Sequence, residues 1–256
     1  DAGSVPVVSY CVVQGGYSGT GNINTNPSFV NALAPTFAPT VVGDYRVQRC
    51  SPCINAGNSS YVPGSVNNDL DFTPRINYGI VDIGAYELQL ELAVPDVNGI
   101  VYVNYTKSGD GSSWLNAVAE LADAMAAAKF NTAIQQIWVA KGTYYPQYPS
   151  DFGPLLCNSP AVNSSFMFAD NLRVYGGFAG GETDTAGRNY VVNTTILSGD
   201  IGVAGVDTDN CQNVLRSINV GSGSQFNGFT VTKGNGANGS GMENNNADLI
   251  IENCIF

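Results

Sequence analysis

The side chains best suited to chemistry in this sequence are carboxylates, and three of them fall close together. Asp200, Asp207 and Asp209 share one short, loop-like stretch. Carboxylate and backbone carbonyl oxygens are the ligands that Ca²⁺ prefers, so the stretch predicts a calcium site formed by these three aspartates. A role in turns stays open, because Asp also stabilises loops through hydrogen bonds between its side chain and the backbone.

A second group of charges lies before residue 90, where Arg75 is followed by Asp82 and Glu87. Charge-assisted hydrogen bonds among these side chains would close the end of a domain without leaving a buried charge unpaired. The sequence does not decide between such a pair and three solvated charges. Asp69 and Asp71 form a D-x-D pair that lacks the glycine and the distal glutamate of a calcium-binding loop.

Groups for acid–base catalysis are scarce. The chain has no histidine and only four lysines, at positions 107, 129, 141 and 233. Polysaccharide lyases need a basic side chain beside acidic groups, and glycoside hydrolases need two carboxylates at a set separation. No such grouping recurs at strand spacing, so the sequence predicts no catalytic residue and a protein that is not an enzyme.

The elements that would position these side chains repeat along the chain. Phe226–Val231 aligns with Ile251–Phe256 in the order apolar, polar, small or polar, apolar, any residue, apolar, and Val8–Val13 fits the same template. A short strand that recurs at intervals of about 20 to 50 residues is typical of a solenoid. Strands separated by Gly- and Asn-rich corners predict a parallel β-helix. One equivalent, inward position holds Cys11, Phe229 and Cys254, which predicts that both thiols are small buried groups.

One segment departs from the strand pattern. Between Ser113 and Lys129 apolar side chains recur every three or four residues, which predicts an amphipathic helix over 113–129. Ser113 is the expected N-cap, and Lys129 lies where the helix dipole favours a positive charge. The expected buried face consists of Trp114, Val118, Leu121, Met125 and Ala128. A helix before a run of strands predicts a cap over the open first turn of the solenoid.

The composition suits strands joined by tight corners. Only 12% of the residues are charged, and 30 are glycine, whereas about a quarter of the residues in an average globular protein are charged. The net charge of −11 excludes the clustered basic surface that nucleic acids require. No apolar run is long enough to predict a membrane span.

Ordered motifs run through both halves of the chain. In the second half they are Val101–Val103, Gly109–Trp114, Ile137–Pro146, Val174–Thr183, Thr195–Gly202, Asn227–Asn235 and Asn253–Phe256; in the first half, Ser51–Gly57, Asp69–Arg75 and Val81–Glu87. They resemble the pectin-lyase-like right-handed β-helix repeats of large bacterial secreted surface proteins. The resemblance implies an all-β fold of right-handed parallel β-helix segments with one capping helix near 113–129. It also implies that 1–89 hold the last turns and cap of one unit, 90–99 a linker, and 100–256 the helical cap and first turns of a second unit.

Members of that family are typically secreted, and a secreted setting favours disulfide bonds. Cys157 and Cys211 are expected in loops and form the predicted disulfide. Cys50 and Cys53 form a C-x-x-C motif without the βαβ context of a redox site or the further ligands of a zinc site. This motif predicts either a structural disulfide or a buried Cys53 beside an incidental Cys50.

Fold alone does not determine function, but the resemblance implies a structural or adhesive repeat segment of a very large extracellular filament or surface adhesin, exported by type IX secretion. The expected partners are adjacent repeats or other copies of the protein, with surface glycans or a target-cell surface as ligand. No cofactor other than Ca²⁺ is expected. The alternative is a carbohydrate-binding or polysaccharide-cleaving β-helix, with stacked aromatic rings and paired acids on one sheet face. A part of a trimeric viral tail fibre is a further alternative.

Overall fold

The computed structural model describes residues 6–37, 42–48, 51–77, 80–89, 93–148, 162–237 and 241–256. By their contacts these residues fall into two compact units, one holding the described residues up to 89 and the other those from 93 onward. Most of the regular structure is strand, and the described part of the chain contains a single α-helix. The predicted β-rich class with one helix is therefore confirmed.

Unit 1 has little regular structure. Strand β1 (Phe29–Asn31) pairs antiparallel with β2 (Asp44–Val47), and two 3₁₀-helices span Pro35–Phe37 and Ser59–Tyr61. Long loops connect these short elements, so side-chain contacts rather than strand ladders must hold much of the unit together. The buried centre of its core consists of Val47, Cys53 and Ile54.

Unit 2 is built from parallel strands. Its described elements are β3 (Ile100–Val103), α1 (Leu121–Phe130), β4 (Gln136–Ala140), β5 (Gly142–Tyr144), β6 (Phe166–Met167), β7 (Arg173–Phe178), β8 (Thr195–Ser198), a 3₁₀-helix (Asp207–Asp209), β9 (Leu215–Ile218), β10 (Gln225–Asn227), β11 (Phe229–Thr232), β12 (Met242–Asn245) and β13 (Ile250–Glu252). Sheet A has the order β13-β10-β7-β4-β3, sheet B β11-β8-β5 and sheet C β12-β9-β6. After α1 the described chain therefore passes through sheets A, B and C in that order three times, and then returns to sheet A at β13.

The register keeps buried side chains of neighbouring strands in line. On sheet A, Val101 pairs with Ile137, Ile137 with Val174, and Val174 with Phe226, and all four residues are fully buried. Strand β4 is buried along nearly its whole length, as its unbroken apolar run predicts for a parallel strand covered on both faces. The column formed by these four side chains is the centre of the core of unit 2.

The predicted alignment of Phe226–Val231 with Ile251–Phe256 is confirmed. Phe226 lies opposite Ile251 in a parallel ladder, and a bridge between the next sheet positions, Thr230 and Ile255, keeps the same offset. The repeat in the sequence is therefore a repeat in hydrogen-bonded register.

Residues in the left-handed backbone region mark two of the connections between sheets. The residues between sheets C and A are Asn171, Asn219 and Asn246, and those at or near the passage from sheet A to sheet B are Gly177, Gly228 and Asn253. Gly and Asn adopt this conformation at lower steric cost than other residues. The side-chain amide of Asn246 also donates a hydrogen bond to Asn219 Oδ1 at 2.7 Å, which links successive connections.

One edge of sheet A is covered by the segment that follows β3. The Tyr102 N–H donates to the Gly111 carbonyl at 2.9 Å, and the Val118 N–H donates to the Tyr102 carbonyl at 3.0 Å. Helix α1 then packs against β3, β4 and β6. An edge whose backbone groups are already paired cannot accept a further strand, so this end of the sheet is closed.

The helix is shorter than predicted, spanning 121–130 instead of 113–129. The prediction for its first part was wrong, because that segment supplies backbone hydrogen bonds to the edge of β3 instead. The Ser113 hydroxyl accepts the Asn116 N–H at 3.2 Å and caps only a turn, while Glu120 occupies the N-cap position, where its side chain does not accept a capping hydrogen bond from the helix. Of the predicted face, Trp114 and Val118 lie outside the helix, and the helical, buried members are Leu121, Met125 and Ala128.

Candidate functional site

The three aspartates of the predicted calcium site form hydrogen bonds or ion pairs with nearby protein groups. Both Asp200 oxygens accept the Gly205 N–H, at 3.1 and 3.0 Å, and Asp209 Oδ2 accepts a backbone N–H at 2.7 Å. Asp207 pairs with Lys233 at 3.4 Å. Among the described residues no three His, Cys, Asp or Glu side chains form a group that could hold a metal ion. The geometry supports the turn-forming role, and calcium binding by Asp200, Asp207 and Asp209 stays a prediction.

Each predicted disulfide has one cysteine outside the described residues, Cys50 in one pair and Cys157 in the other. Their partners Cys53 and Cys211 are buried, and neither is bonded to another described cysteine. Burial raises the pKa of Cys53 and raises that of Cys211 to about 12. Because the thiolate is the reactive form, neither described thiol is a candidate nucleophile. The pairings Cys50–Cys53 and Cys157–Cys211 stay predictions.

Cys11 and Cys254 were predicted to be buried, and they are only partly covered. Cys254 follows β13, the outermost described strand of sheet A, so no further strand in the described chain covers it. Each thiol donates a hydrogen bond to a nearby carbonyl, Cys11 to Ser9 at 3.2 Å and Cys254 to Glu252 at 3.1 Å. Both thiols therefore remain reachable by small reagents.

Aromatic rings gather on the outer face of sheet A, opposite the buried column. Tyr102 packs edge-on against Trp114 and Trp138, with ring centroids 5.0 and 5.6 Å apart, and Trp138 stacks on Phe178 at 4.9 Å. The Trp114 indole N–H donates to the Glu182 carbonyl at 2.8 Å, which ties a loop onto the cluster. Trp138 is 4% exposed and Phe178 is fully buried. These two rings stack on each other and are buried, so a ligand cannot pack against them.

Arg188 closes the same face farther along the sheet. Its guanidinium lies over the rings of Tyr175 and Tyr190, 5.0 and 5.7 Å from their centroids. It also donates to the Gly176 carbonyl at 3.0 Å and to Asn227 Oδ1 at 2.7 Å. Burial lowers the pKa of Arg188. These contacts fasten the loop that carries Arg188 to two successive strands, which is a structural role.

The densest group of buried charges lies in unit 1, around Glu87. Arg75 Nη1 lies 3.1 Å from Glu87 Oε2, and the two side chains are 15% and 1% exposed. The structure therefore decides for an ion pair over solvated charges. Asp82 is buried too, but its carboxylate accepts the backbone N–H groups of Asn55 and Leu88 at 2.7 and 2.8 Å instead of pairing with the guanidinium.

The carboxylates of this group accept several hydrogen bonds from backbone N–H groups. Glu87 Oε1 accepts the Asn77 N–H and Oε2 accepts the Asp82 N–H, both at 3.0 Å. Asp69 Oδ2 accepts the Glu87 N–H at 2.8 Å, and its Oδ1 accepts the N–H groups of Asp71 and Thr73, each at 2.9 Å. Buried oxygens that are already hydrogen-bonded in this way are suited to hold turns in place. They are not poised to take a proton from a substrate.

The pKa values of the three acids move in different directions. Burial raises the pKa of Glu87 to about 7, in spite of its donors and of Arg75. Burial also raises the pKa of Asp82. For Asp69 burial acts in the same sense, but the backbone donors together outweigh it and hold its pKa below the usual value.

We expect unit 1 to lose stability as the pH rises through neutrality. The pKa of Glu87 is about 7 in the folded protein against an ordinary value of 4.5, so the folded state binds more protons than the unfolded state between these values. The unfolding free energy should fall by on the order of 2 kcal/mol between pH 5 and pH 8. Asp82 acts in the same direction, and Asp69 acts only below its ordinary pKa of 3.8.

Urea unfolding of unit 1, followed residue by residue by hydrogen exchange at pH 5 and pH 8, measures this change. The control is Glu87→Gln, which cannot titrate and should show a much smaller pH dependence over the same range. Equal pH dependence in the two proteins would show that Glu87 does not carry the effect.

Comparisons with known proteins identify no relative. No protein-family model matches the chain, and no curated protein or solved structure is similar to it. In the part of the chain that the structure describes, no helix is long and apolar enough to cross a membrane. The function must therefore be argued from the geometry described above.

Proposed function

We propose that this chain is a structural or adhesive repeat segment of a very large extracellular filament or surface adhesin, and that it is not catalytic. The observation that carries the proposal is the path of unit 2, which visits three parallel sheets in constant order while its buried side chains stay in line. We interpret this path as a right-handed parallel β-helix, in which each turn buries its apolar face on its neighbours.

Such a fold is stiff, and its length grows with the number of turns. Each turn adds about 4.8 Å along the axis, and two neighbouring turns separate only when the hydrogen bonds of all three sheets break together. Side chains add to these bonds, because Asn253 donates to Asn227 Oδ1 at 3.1 Å and Asn246 donates to Asn219 Oδ1 at 2.7 Å. These contacts support a load-bearing role.

The proposed cellular setting of the protein rests on the resemblance of its sequence motifs to the β-helix repeats of secreted surface proteins. It comprises an extracellular or cell-surface location, export by type IX secretion, and partners that are adjacent repeats or other copies of the same protein. Binding of surface glycans or of a target-cell surface belongs to the same inference. Ca²⁺ at Asp200, Asp207 and Asp209 would brace one loop of the filament. A melting temperature unchanged by a chelator would count against it.

The alternative of a carbohydrate-binding or polysaccharide-cleaving protein has less support. A sugar-binding face needs aromatic rings that are open to the ligand, whereas Trp138 and Phe178 stack on each other and are buried. The buried carboxylates of unit 1 already accept backbone hydrogen bonds. No described feature favours cleavage, so the structural role is the function that we infer.

Electron microscopy of the native protein, with helical or subtomogram averaging, tests the proposal. We expect extended fibres whose axial repeat corresponds to turns of about 4.8 Å, with copies of the protein joined along the fibre. Compact, isolated particles without an axial repeat would overturn it. In that case, an assay of neutral and acidic polysaccharides for cleavage would test the alternative.

A further inference from the structure

Unit 1 contains a cavity that the proposed structural role does not use. It has a volume of about 430 Å³, and its described lining includes four aromatic rings, those of Tyr10, Phe29, Tyr45 and Tyr86. Phe29 and Tyr45 meet edge to face with centroids 5.4 Å apart. Tyr45 is 46% exposed, so part of its ring faces solvent. A largely apolar cavity of this size is typical of a small-ligand site.

The cavity favours an uncharged ligand. None of its described lining residues carries a charge. The guanidinium of Arg75 donates to the carbonyl of the lining residue Gly84 at 2.7 Å and is paired with Glu87. The guanidinium of Arg46 lies 5.0 Å from the centroid of the Tyr86 ring. It is already bound by Asp71 at 2.5 and 2.6 Å and by Asp44 at 3.1 Å. An ionic ligand would lose its hydration without finding an opposite charge in the cavity.

The lining also favours an aromatic ring over a sugar. Two thiols, Cys11 and Cys53, share the cavity with the four rings, and sulfur and aromatic edges both make favourable contacts with a ring. A sugar would bring many hydroxyl groups into a cavity whose described lining offers no polar side-chain groups other than tyrosine hydroxyls and cysteine sulfurs. Each hydroxyl buried without a partner would weaken binding.

We propose that this cavity is a binding site for an uncharged aromatic ring, either a free small molecule or a ring carried by a peptide. This binding function is separate from the structural role proposed for unit 2 and does not depend on that role. The ring would enter beside Tyr45 and pack against Phe29 and Tyr86, with Cys11 and Cys53 completing the wall. Failure of the fibre experiment would leave this site untouched, and failure of ligand binding would leave the fibre unaffected.

Calorimetric titration of the whole chain with p-cresol tests the proposal. We expect saturable binding with a Kd of about 1 mM or tighter, the range open to a ligand of this size, and no binding of maltotriose. Tyr45→Ala should weaken p-cresol binding about five- to tenfold through the loss of one ring contact. The matched control is Phe72→Ala, since Phe72 is an 86% exposed ring of the same unit that does not line the cavity.

Alkylation by iodoacetamide, read by mass spectrometry, gives a second measurement that needs no variant. Bound p-cresol should slow the modification of Cys11, and it should leave Cys254, a partly covered thiol of unit 2, unaffected. Tighter binding of N-acetyltyrosinamide than of p-cresol would identify a peptide-borne ring as the ligand, and the reverse order a free molecule. The absence of saturable p-cresol binding, equal affinity in Tyr45→Ala, or a preference for maltotriose would overturn the proposal.

Discussion

Replacing Glu87 with alanine is expected to lower the unfolding free energy of unit 1 by about 3–5 kcal/mol, the loss typical of a buried ion pair that keeps only one partner. The substitution leaves Arg75, whose side chain is 15% exposed, without the carboxylate that pairs with its guanidinium. It also removes the acceptor of the Asn77 and Asp82 N–H groups. Buried donors without a partner carry most of the expected loss.

The control for this prediction is Asp71→Ala in the same unit. Asp71 contacts Arg46 at 2.5 and 2.6 Å, closer than Glu87 approaches Arg75, but the Arg46 and Asp71 side chains are 49% and 31% exposed. Solvent-exposed pairs contribute about 0–1 kcal/mol, so Asp71→Ala should change little. Urea unfolding followed by hydrogen exchange in residues 51–89 measures both variants. A loss below about 1 kcal/mol for Glu87→Ala would show that burial of this pair does not stabilise the unit.

The strands of unit 2 could be predicted because their signal is local. Strands β3, β4 and β8 lie where apolar, β-branched runs predict them, and the offset between Phe226 and Ile251 follows from a repeated pattern. The start of the helix could not be predicted in this way. The periodicity around Trp114 and Val118 fits a helix, but the free edge of β3 competes for the same backbone groups, and its hydrogen bonds prevail.

The candidate sites were harder to predict, because backbone donors leave no pattern in the sequence. Arg75 and Glu87 could be singled out by residue type, yet their pairing depends on burial that only the fold reveals. By sequence Asp69 belongs to a D-x-D pair, whereas in the structure it accepts the N–H groups of its own turn and of Glu87. The sequence pattern does not single out Arg188, since its partners are carbonyls and rings from other parts of the chain.

Replacing Phe226 with alanine is expected to cost about 3–5 kcal/mol in the unfolding free energy of unit 2, as for other large-to-small changes in a packed core. Phe226 is fully buried in the column of sheet A. Its ring stacks on Phe229 with centroids 4.4 Å apart and meets Phe168 edge-on at 6.2 Å. The cavity left behind would be lined by the rings of Phe229, on sheet B, and of Phe168, which follows β6 of sheet C, and these rings cannot fill it without shifting their segments.

The matched control is Ile251→Ala, one strand farther along the same column. Ile251 is 41% exposed on β13, so its truncation should cost about 1 kcal/mol or less. The two tryptophans of the chain, Trp114 and Trp138, both belong to unit 2, and their emission during urea unfolding reports on its closed end.

Amide hydrogen exchange then shows which strands Phe226→Ala destabilises. In a solenoid each turn depends on its neighbours, so amides of β10 to β13 should exchange faster while those of β3 and β4, beside the covered edge, remain protected. Uniform loss of protection across unit 2 would instead mean that the strands unfold as one cooperative body. That outcome would contradict the turn-by-turn stability expected of a solenoid.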